Sequence, residues 1–129
     1  MKVAIIAPPY PLAEAPAPPL GVGYVAAAFL AAGAEVRIFD YIVRRYTREK
    51  LQGEIDAFQP DVVGATSVTL NFPTTAEILV EAKKHRPKVV TVTSCLFHGS
   101  SYTACISRNR SDRHGRGRGD DRRPGECRF

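Results

Sequence analysis

Lys2-Val3-Ala4-Ile5-Ile6-Ala7 runs directly into Pro8-Pro9. A short, nearly continuous apolar run shows none of the alternation of a half-exposed strand, so it reads as a strand buried on both faces. The prolines end it because they cannot donate to a ladder. The same unit recurs along the chain. Glu35-Val36-Arg37-Ile38-Phe39-Asp40 reads as a second strand with Val36 and Ile38 on one face. Asp61-Val62-Val63-Gly64-Ala65-Thr66, opened by Pro60, reads as a third, and Lys88-Val89-Val90-Thr91-Val92-Thr93 as a fourth.

Helical patterns fill the intervals. Leu20 to Gly33 is rich in alanine and leucine, and Gly33 suits a C-cap. Thr47 opens a helix to Phe58 with Leu51, Ile55 and Phe58 at helical spacing. Phe72 to His85 is a third helix, with Ile78, Leu79 and Ala82 on its apolar face, and Pro87 beyond it. This β-α-β-α-β-α-β grammar predicts an α/β fold: a Rossmann-like, flavodoxin-like parallel sheet of about four strands, ordered 2-1-3-4 and covered on both sides.

After Thr93 the grammar stops. Residues 1–94 carry 10 Lys and Arg against 9 Asp and Glu, whereas residues 95–129 carry 8 Arg, no Lys and 4 acids. The net charge of +5 therefore resides mostly in the tail. The expected division is an incomplete Rossmann domain over 1–93 and an Arg/Gly-rich, disordered tail over 94–129. Cys95, Cys105 and Cys127 match neither a zinc ribbon nor CxxC and read as reduced thiols. A length of 129 residues allows one modest domain. No run reaches the roughly 18 apolar residues of a membrane span, and the N-terminal run is too short for a signal peptide, which predicts a soluble cytoplasmic protein.

Ligands of open α/β sheets sit beyond the carboxyl ends of the strands, where strand order reverses. For the order 2-1-3-4 this crevice lies between strands one and three. Pro8-Pro9-Tyr10 and Ser67-Val68-Thr69-Leu70-Asn71 open onto it. The second loop can present hydroxyl groups and the backbone N–H groups of a helix start to a polar ligand edge. Ordinary helix capping by Thr69, Asn71 or Thr74 accounts for the same residues. Gly21-Val22-Gly23 lacks the third glycine of GxGxxG and stands too far from the first strand for a tight phosphate turn, so close helix–sheet packing explains it as well. Asp40 stands where a ribose-binding acid would, and also where turns favour Asp.

Four segments together are more specific. Pro8-Pro9-Tyr10, Pro18-Pro19-Leu20-Gly21-x-x-Tyr24, Gly33-x-x-Val36-x-x-x-Asp40 and Pro60-Asp61-Val62-Val63-Gly64-x-Thr66-Ser67 resemble the N-terminal cobalamin-binding domain of cobalamin-dependent radical SAM proteins. The resemblance covers about residues 1–93. It implies a corrinoid, cobalamin, as cofactor, held against the strand ends, usually without a protein histidine below the metal. It implies further that Pro8, Pro9, Tyr10, Ser67, Val68, Thr69 and Asn71 line the crevice, with no catalytic residue and no protein metal ligand in this chain. A broad apolar macrocycle with an amide fringe suits a flat cleft with a few donors. The implied partner is the radical SAM catalytic domain of an intact parent.

The departures are specific too. Family members usually follow strand four with Gly-Gly-Pro-His or something close; here stand Thr93-Ser94-Cys95-Leu96. The fifth strand with its Gly-Glu-Gly-Glu segment, the barrel and the CxxxCxxC iron–sulfur motif are missing, which predicts no turnover by this chain. Asp112-Arg113-His114-Gly115-Arg116-Gly117 fits the DxHxxG motif of histidine-ligated cobalamin proteins, but it stands in the tail rather than after strand one, and chance accounts for it.

Arg and Gly runs are what CGN and GGN codons yield in a GC-rich gene. A shift of one nucleotide permits Asp112 to Gly119 to read Ile-Asp-Met-Val-Val-Val-Gly-Glu, which resembles the missing fifth strand and the start of its Gly-Glu segment. The sequence thus also predicts a frameshift after about residue 93. Two alternatives stand beside the corrinoid reading: a stand-alone flavodoxin-like binder of a nucleotide or flavin, and RNA binding through the Arg/Gly tail, whose run from Arg113 to Arg123 resembles an RGG segment.

Overall fold

A computed structural model describes residues 1–10, 19–68, 70–97 and 101–107, with 94–97 and 101–107 as backbone only. The elements run β1 (Lys2–Ala7), α1 (Leu20–Ala31), β2 (Glu35–Asp40), α2 (Arg48–Phe58), β3 (Val62–Ser67), α3 (Phe72–His85), β4 (Val90–Phe97) and β5 (Ser101–Ser107). The sheet order is β2-β1-β3-β4-β5. Its first four strands are parallel, as the βαβ grammar requires, and β5 returns antiparallel along β4.

The fourth strand is longer than the sequence reading placed it. It runs to Phe97 rather than Thr93, and a fifth strand follows inside the segment assigned to the tail. Its sequence, Ser-Tyr-Thr-Ala-Cys-Ile-Ser, alternates Tyr102, Ala104 and Ile106 with Thr103, Cys105 and Ser107, a short period of two, and the edge of β4 supplies its backbone partners. Residues 108–129, with His114 and the arginine–glycine run, lie outside the described residues.

Local chemistry explains the element ends. Thr47 Oγ1 accepts from the Lys50 N–H at 3.3 Å and caps α2. Gln59 closes α2 in the left-handed region, at φ 53°. Gly33, at φ 80°, ends the α1 turn, with Ala34 N–H reaching back to Phe29 O at 3.0 Å. Asp61 ties the start of the sheet together. Its carboxylate accepts from Lys2 N–H and its own N–H donates to Lys2 O, both at 2.8 Å, while its carbonyl accepts from Val90 N–H at 2.9 Å.

The two faces differ. Helices α2 and α3 cover one, where Ala4, Ile6, Phe39, Val63, Ala65 and Val89 pack with Leu51, Ile55, Phe58, Ile78, Leu79 and Ala82. The apolar residues expected on both helices are all buried. Among the described helices the other face carries α1, with Val22 and Ala26 over Val3, Ile5 and Ala7 of β1 and with Val62 of β3 packed beside them. Along β3 burial alternates strictly: Val63, Ala65 and Ser67 are buried toward α3, and Val62, Gly64 and Thr66 are half-buried toward the α1 side.

Candidate functional site

The connection from β1 passes to β2 on one side, and β3 lies on the other, so the switch point falls between β1 and β3. The ladders show how it opens. β1 pairs with β2 as far as Ala7 and Asp40, and β3 pairs with β4 as far as Ser67 and Cys95. Between β1 and β3, pairing ends at Ile6 and Ala65, although β1 continues to Ala7 and β3 to Ser67. The β1–β3 ladder thus stops short of both strand ends, at the switch point where ligands of open α/β sheets sit.

The sequence-derived residues gather on its rim. Pro8 is buried, Pro9 half-buried, and Tyr10 stands 41% exposed at the end of β1. Ser67 and Asn71 are buried at the end of β3, with half-buried Val68 between them. Thr69 lies outside the described residues. Ala7 O accepts from Tyr41 N–H at 2.9 Å, which joins the turn after β2 to the same rim.

The polar groups of the second loop largely serve the loop itself. Asn71 Oδ1 accepts from Val68 N–H at 2.9 Å, and Asn71 N–H donates to Val68 O at 3.1 Å. Its carbonyl accepts from both the N–H and the hydroxyl of Thr75 at 2.9 Å. Asn71 occupies the N-cap position of α3, yet its side chain makes no capping bond and braces Val68 instead. Ser67 Oγ donates to Val68 O at 3.3 Å. Thr93 Oγ1 donates to Ala65 O at 3.2 Å and locks β4 to β3 just below the rim. Among the described residues of this loop, Ser67 and Asn71 therefore spend hydrogen bonds on Val68.

Two other sequence features resolve differently. Gly21 and Gly23 lie in the exposed first turn of α1, and a Cβ at either would meet nothing within 4 Å, so helix–sheet packing does not require them. Asp40 Oδ1 accepts from Ile42 N–H at 2.9 Å and Val43 N–H at 3.4 Å, the turn chemistry weighed for it. Asp40 also edges an apolar cleft of about 470 Å³ between α1 and β2, with Pro19, Leu20, Gly23, Tyr24, Ala27 and Ile38. Periodicity could not find this cleft, because α1 is apolar around its whole circumference.

Shifted titrations lie away from the crevice. Burial, then the hydrogen bond to Glu54, holds the Tyr41 phenol far above its usual range. Burial also raises Tyr46, whose ring packs edge-on against Tyr41 at 5.2 Å. Lys83 is lowered by desolvation, and its ammonium donates to Val89 O at 2.6 Å. Among the described residues no group of three His, Cys, Asp or Glu is placed to hold a metal. His85 ends α3 at the opposite end of the sheet from the crevice, 2.8 Å from Asp56. None of the described helices is long and apolar enough to cross a membrane.

Four parallel strands in the order β2-β1-β3-β4, with a switch point between β1 and β3, define an open α/β domain of flavodoxin-like plan. The comparisons narrow this class. A model of the B12 binding domain matches residues 13–100, more than half of the chain, and the chain belongs to that family. It is accordingly a cobalamin-binding module. No curated protein and no solved structure matches it.

Proposed function

We propose that the corrin ring lies across the carboxyl ends of β1 and β3, against Pro8, Pro9 and Tyr10 on one side and Ser67, Val68, Thr69 and Asn71 on the other. The supporting observation is the early end of the β1–β3 ladder at Ile6 and Ala65, at the switch point of a B12-binding family member. In this reading the chain binds and orients. The prolines and Val68 exclude water from one corrin face, Tyr10 covers the ring edge, and the Asn71 brace sets the height of the β3 loop. The bound corrinoid would supply a cobalt centre able to carry an alkyl group.

The four segments Pro8-Pro9-Tyr10, Pro18 to Tyr24, Gly33 to Asp40 and Pro60 to Ser67 support a finer reading. The chain is the N-terminal, non-catalytic piece of a cobalamin-dependent radical SAM protein, with residues 1–93 as its incomplete domain. The composition change after Thr93 supports a shifted reading frame as the origin of the tail. In the intact form the module would present its corrinoid to a separate catalytic barrel.

Gel filtration of the chain with hydroxocobalamin tests the binding claim. The expected result is corrinoid absorbance co-eluting with the protein, with an altered visible spectrum. Absence of both at high protein concentration overturns it, and stabilisation by FMN or NAD alone would favour a flavodoxin-like binder. The parentage is tested separately, by sequencing the gene from codon 85 in three frames. A second frame encoding a Gly-Gly loop, a fifth parallel strand and CxxxCxxC supports it, and three frames without them reject it.

A further inference from the structure

Phe39 of β2 and Tyr41 just beyond it stand two residues apart, and both are buried in the core under α2. Phe39 is wholly apolar, whereas Tyr41 carries a hydroxyl into the same core. A buried phenol needs a partner, and Glu54 in the middle of α2 supplies it, its Oε2 accepting from the Tyr41 hydroxyl. Burial and this bond keep the phenol protonated, so it remains a donor. Glu54 Oε1 lies 3.1 Å from Arg44 Nη1, and Arg44 Nε donates to Asp40 O at 3.2 Å. The contacts close into a circuit through Asp40, Tyr41, Glu54 and Arg44 that ties the end of β2 to α2.

The circuit reaches the rim through the backbone. Tyr41 N–H donates to Ala7 O at 2.9 Å, one residue before Pro8-Pro9. Toward β3 the register of β1 has already stopped at Ile6, and neither proline has an N–H to extend a ladder on either side. Residue 41 therefore holds Ala7 at its carbonyl, and Pro8, Pro9 and Tyr10 leave the sheet from that point. Apolar burial of the Tyr41 ring is non-directional and resists small shifts weakly. Its charge-assisted hydrogen bond is directional, and a phenylalanine in the same place would lack it.

We infer that Tyr41 and Glu54 are positioning residues for the β1 side of the corrinoid site. Their hydrogen bond fixes the Tyr41 backbone, that backbone fixes Ala7 O, and Ala7 sets where Pro8, Pro9 and Tyr10 meet the macrocycle. Both side chains act through Ala7 from the α2 side of the sheet. The inference rests on the corrinoid site proposed above and adds what holds one of its walls in place. A site whose supporting contacts are loosened loses affinity although its lining residues are unchanged.

Two measurements on the full chain test this. The first needs no ligand and follows amide hydrogen exchange by NMR. Tyr41→Phe should speed exchange of the residue-41 amide about fivefold relative to the Ile5 amide inside β1, the effect of one net hydrogen bond. Ile55→Val, a buried change on the same helix that leaves the circuit whole, should leave that ratio unchanged.

The second is titration with hydroxocobalamin well below the melting temperatures of all variants. Tyr41→Phe and Glu54→Ala should each raise the dissociation constant about fivefold, and the double variant no further, because the pair acts as one contact. Glu54→Gln keeps an acceptor and should restore most of the affinity, and Ile55→Val should match the wild type. A merely structural pair would lower melting temperatures and leave the affinity of the folded chain alone. An unchanged exchange ratio, an unchanged dissociation constant, additive losses, or an equal loss with Ile55→Val overturns the inference. A wild type that binds no corrinoid overturns the site reading instead, and the exchange ratio then decides by itself whether the pair holds Ala7.

Discussion

The two faces of one sheet have been treated differently. Toward α2 and α3, Val63, Ala65, Thr91 and Thr93 are buried and pack under two helices. Toward α1, their neighbours Val62, Gly64, Val90 and Val92 are half-buried, and among the described helices α1 is the one on this face, with Val62 packed at its edge. A parallel strand normally hides both faces, and β1 does: Val3 through Pro8 are all buried. β3 alternates in the manner of a sheet with one wet side. The contrast teaches that topology sets burial here more than composition does. Each right-handed crossover puts its helix on a determined face, and three helices suffice for one face and half of the other.

The largest effect that would sharpen this contrast is expected at Ile78, fully buried between α3 and the sheet. Ile78→Ala should cost about 2–5 kcal/mol in urea unfolding, through lost burial and an unfilled cavity. A loss below about 1 kcal/mol would break the claim that this face holds the main core.

Next comes the rim that both faces share. Asn71→Ala removes the acceptor of the Val68 N–H and should cost about 1–3 kcal/mol. It should also weaken corrinoid co-elution, whereas unchanged binding would show that the β3 loop does not set the rim.

A pH series on the covered face is expected to be smaller. Tyr41 is held protonated by burial and by Glu54, with its pKa raised above the usual value near 10. Its neutral form therefore contributes full stability below pH 10, and this is lost as pH rises toward the folded-state value. Melting curves from pH 8 to about 11 should fall more steeply for the wild type than for Tyr41→Phe, which itself loses about 1 kcal/mol at neutral pH. Parallel pH profiles would show that the phenol is not buried against Glu54.

The smallest effect belongs to the α1 side of β4. Val92→Ala should cost only about 0.5–1 kcal/mol in urea unfolding, since Val92 is half-buried, and a loss of about 2 kcal/mol or more would show that this side is packed as tightly as the other.

Strand and helix identities were legible because their periods and punctuation are local. Pro8-Pro9, Gly33, Pro60 and Pro87 mark ends that the structure keeps, and Phe72–His85 is the third helix to the residue. Strand order followed from handedness, and the rim followed from strand order. The loop chemistry was less legible. Thr69, Asn71 and Thr74 could each have capped α3, and only coordinates reveal that Asn71 turns back to Val68. β5 was missed because its short alternation is embedded in a change of composition, and its partner is the edge of β4, which only the assembled sheet leaves open.

Taken alone, the sequence determined the alternating α/β plan and the parallel order of β1 to β4, because each depends on near-neighbour periodicity and one handedness rule. Only the tertiary structure decided that the β1–β3 ladder stops at Ile6 and Ala65 and that Ser67 and Asn71 spend hydrogen bonds on their own loop. These are outcomes of where distant segments come to rest, and no local pattern of residues encodes the distance between them.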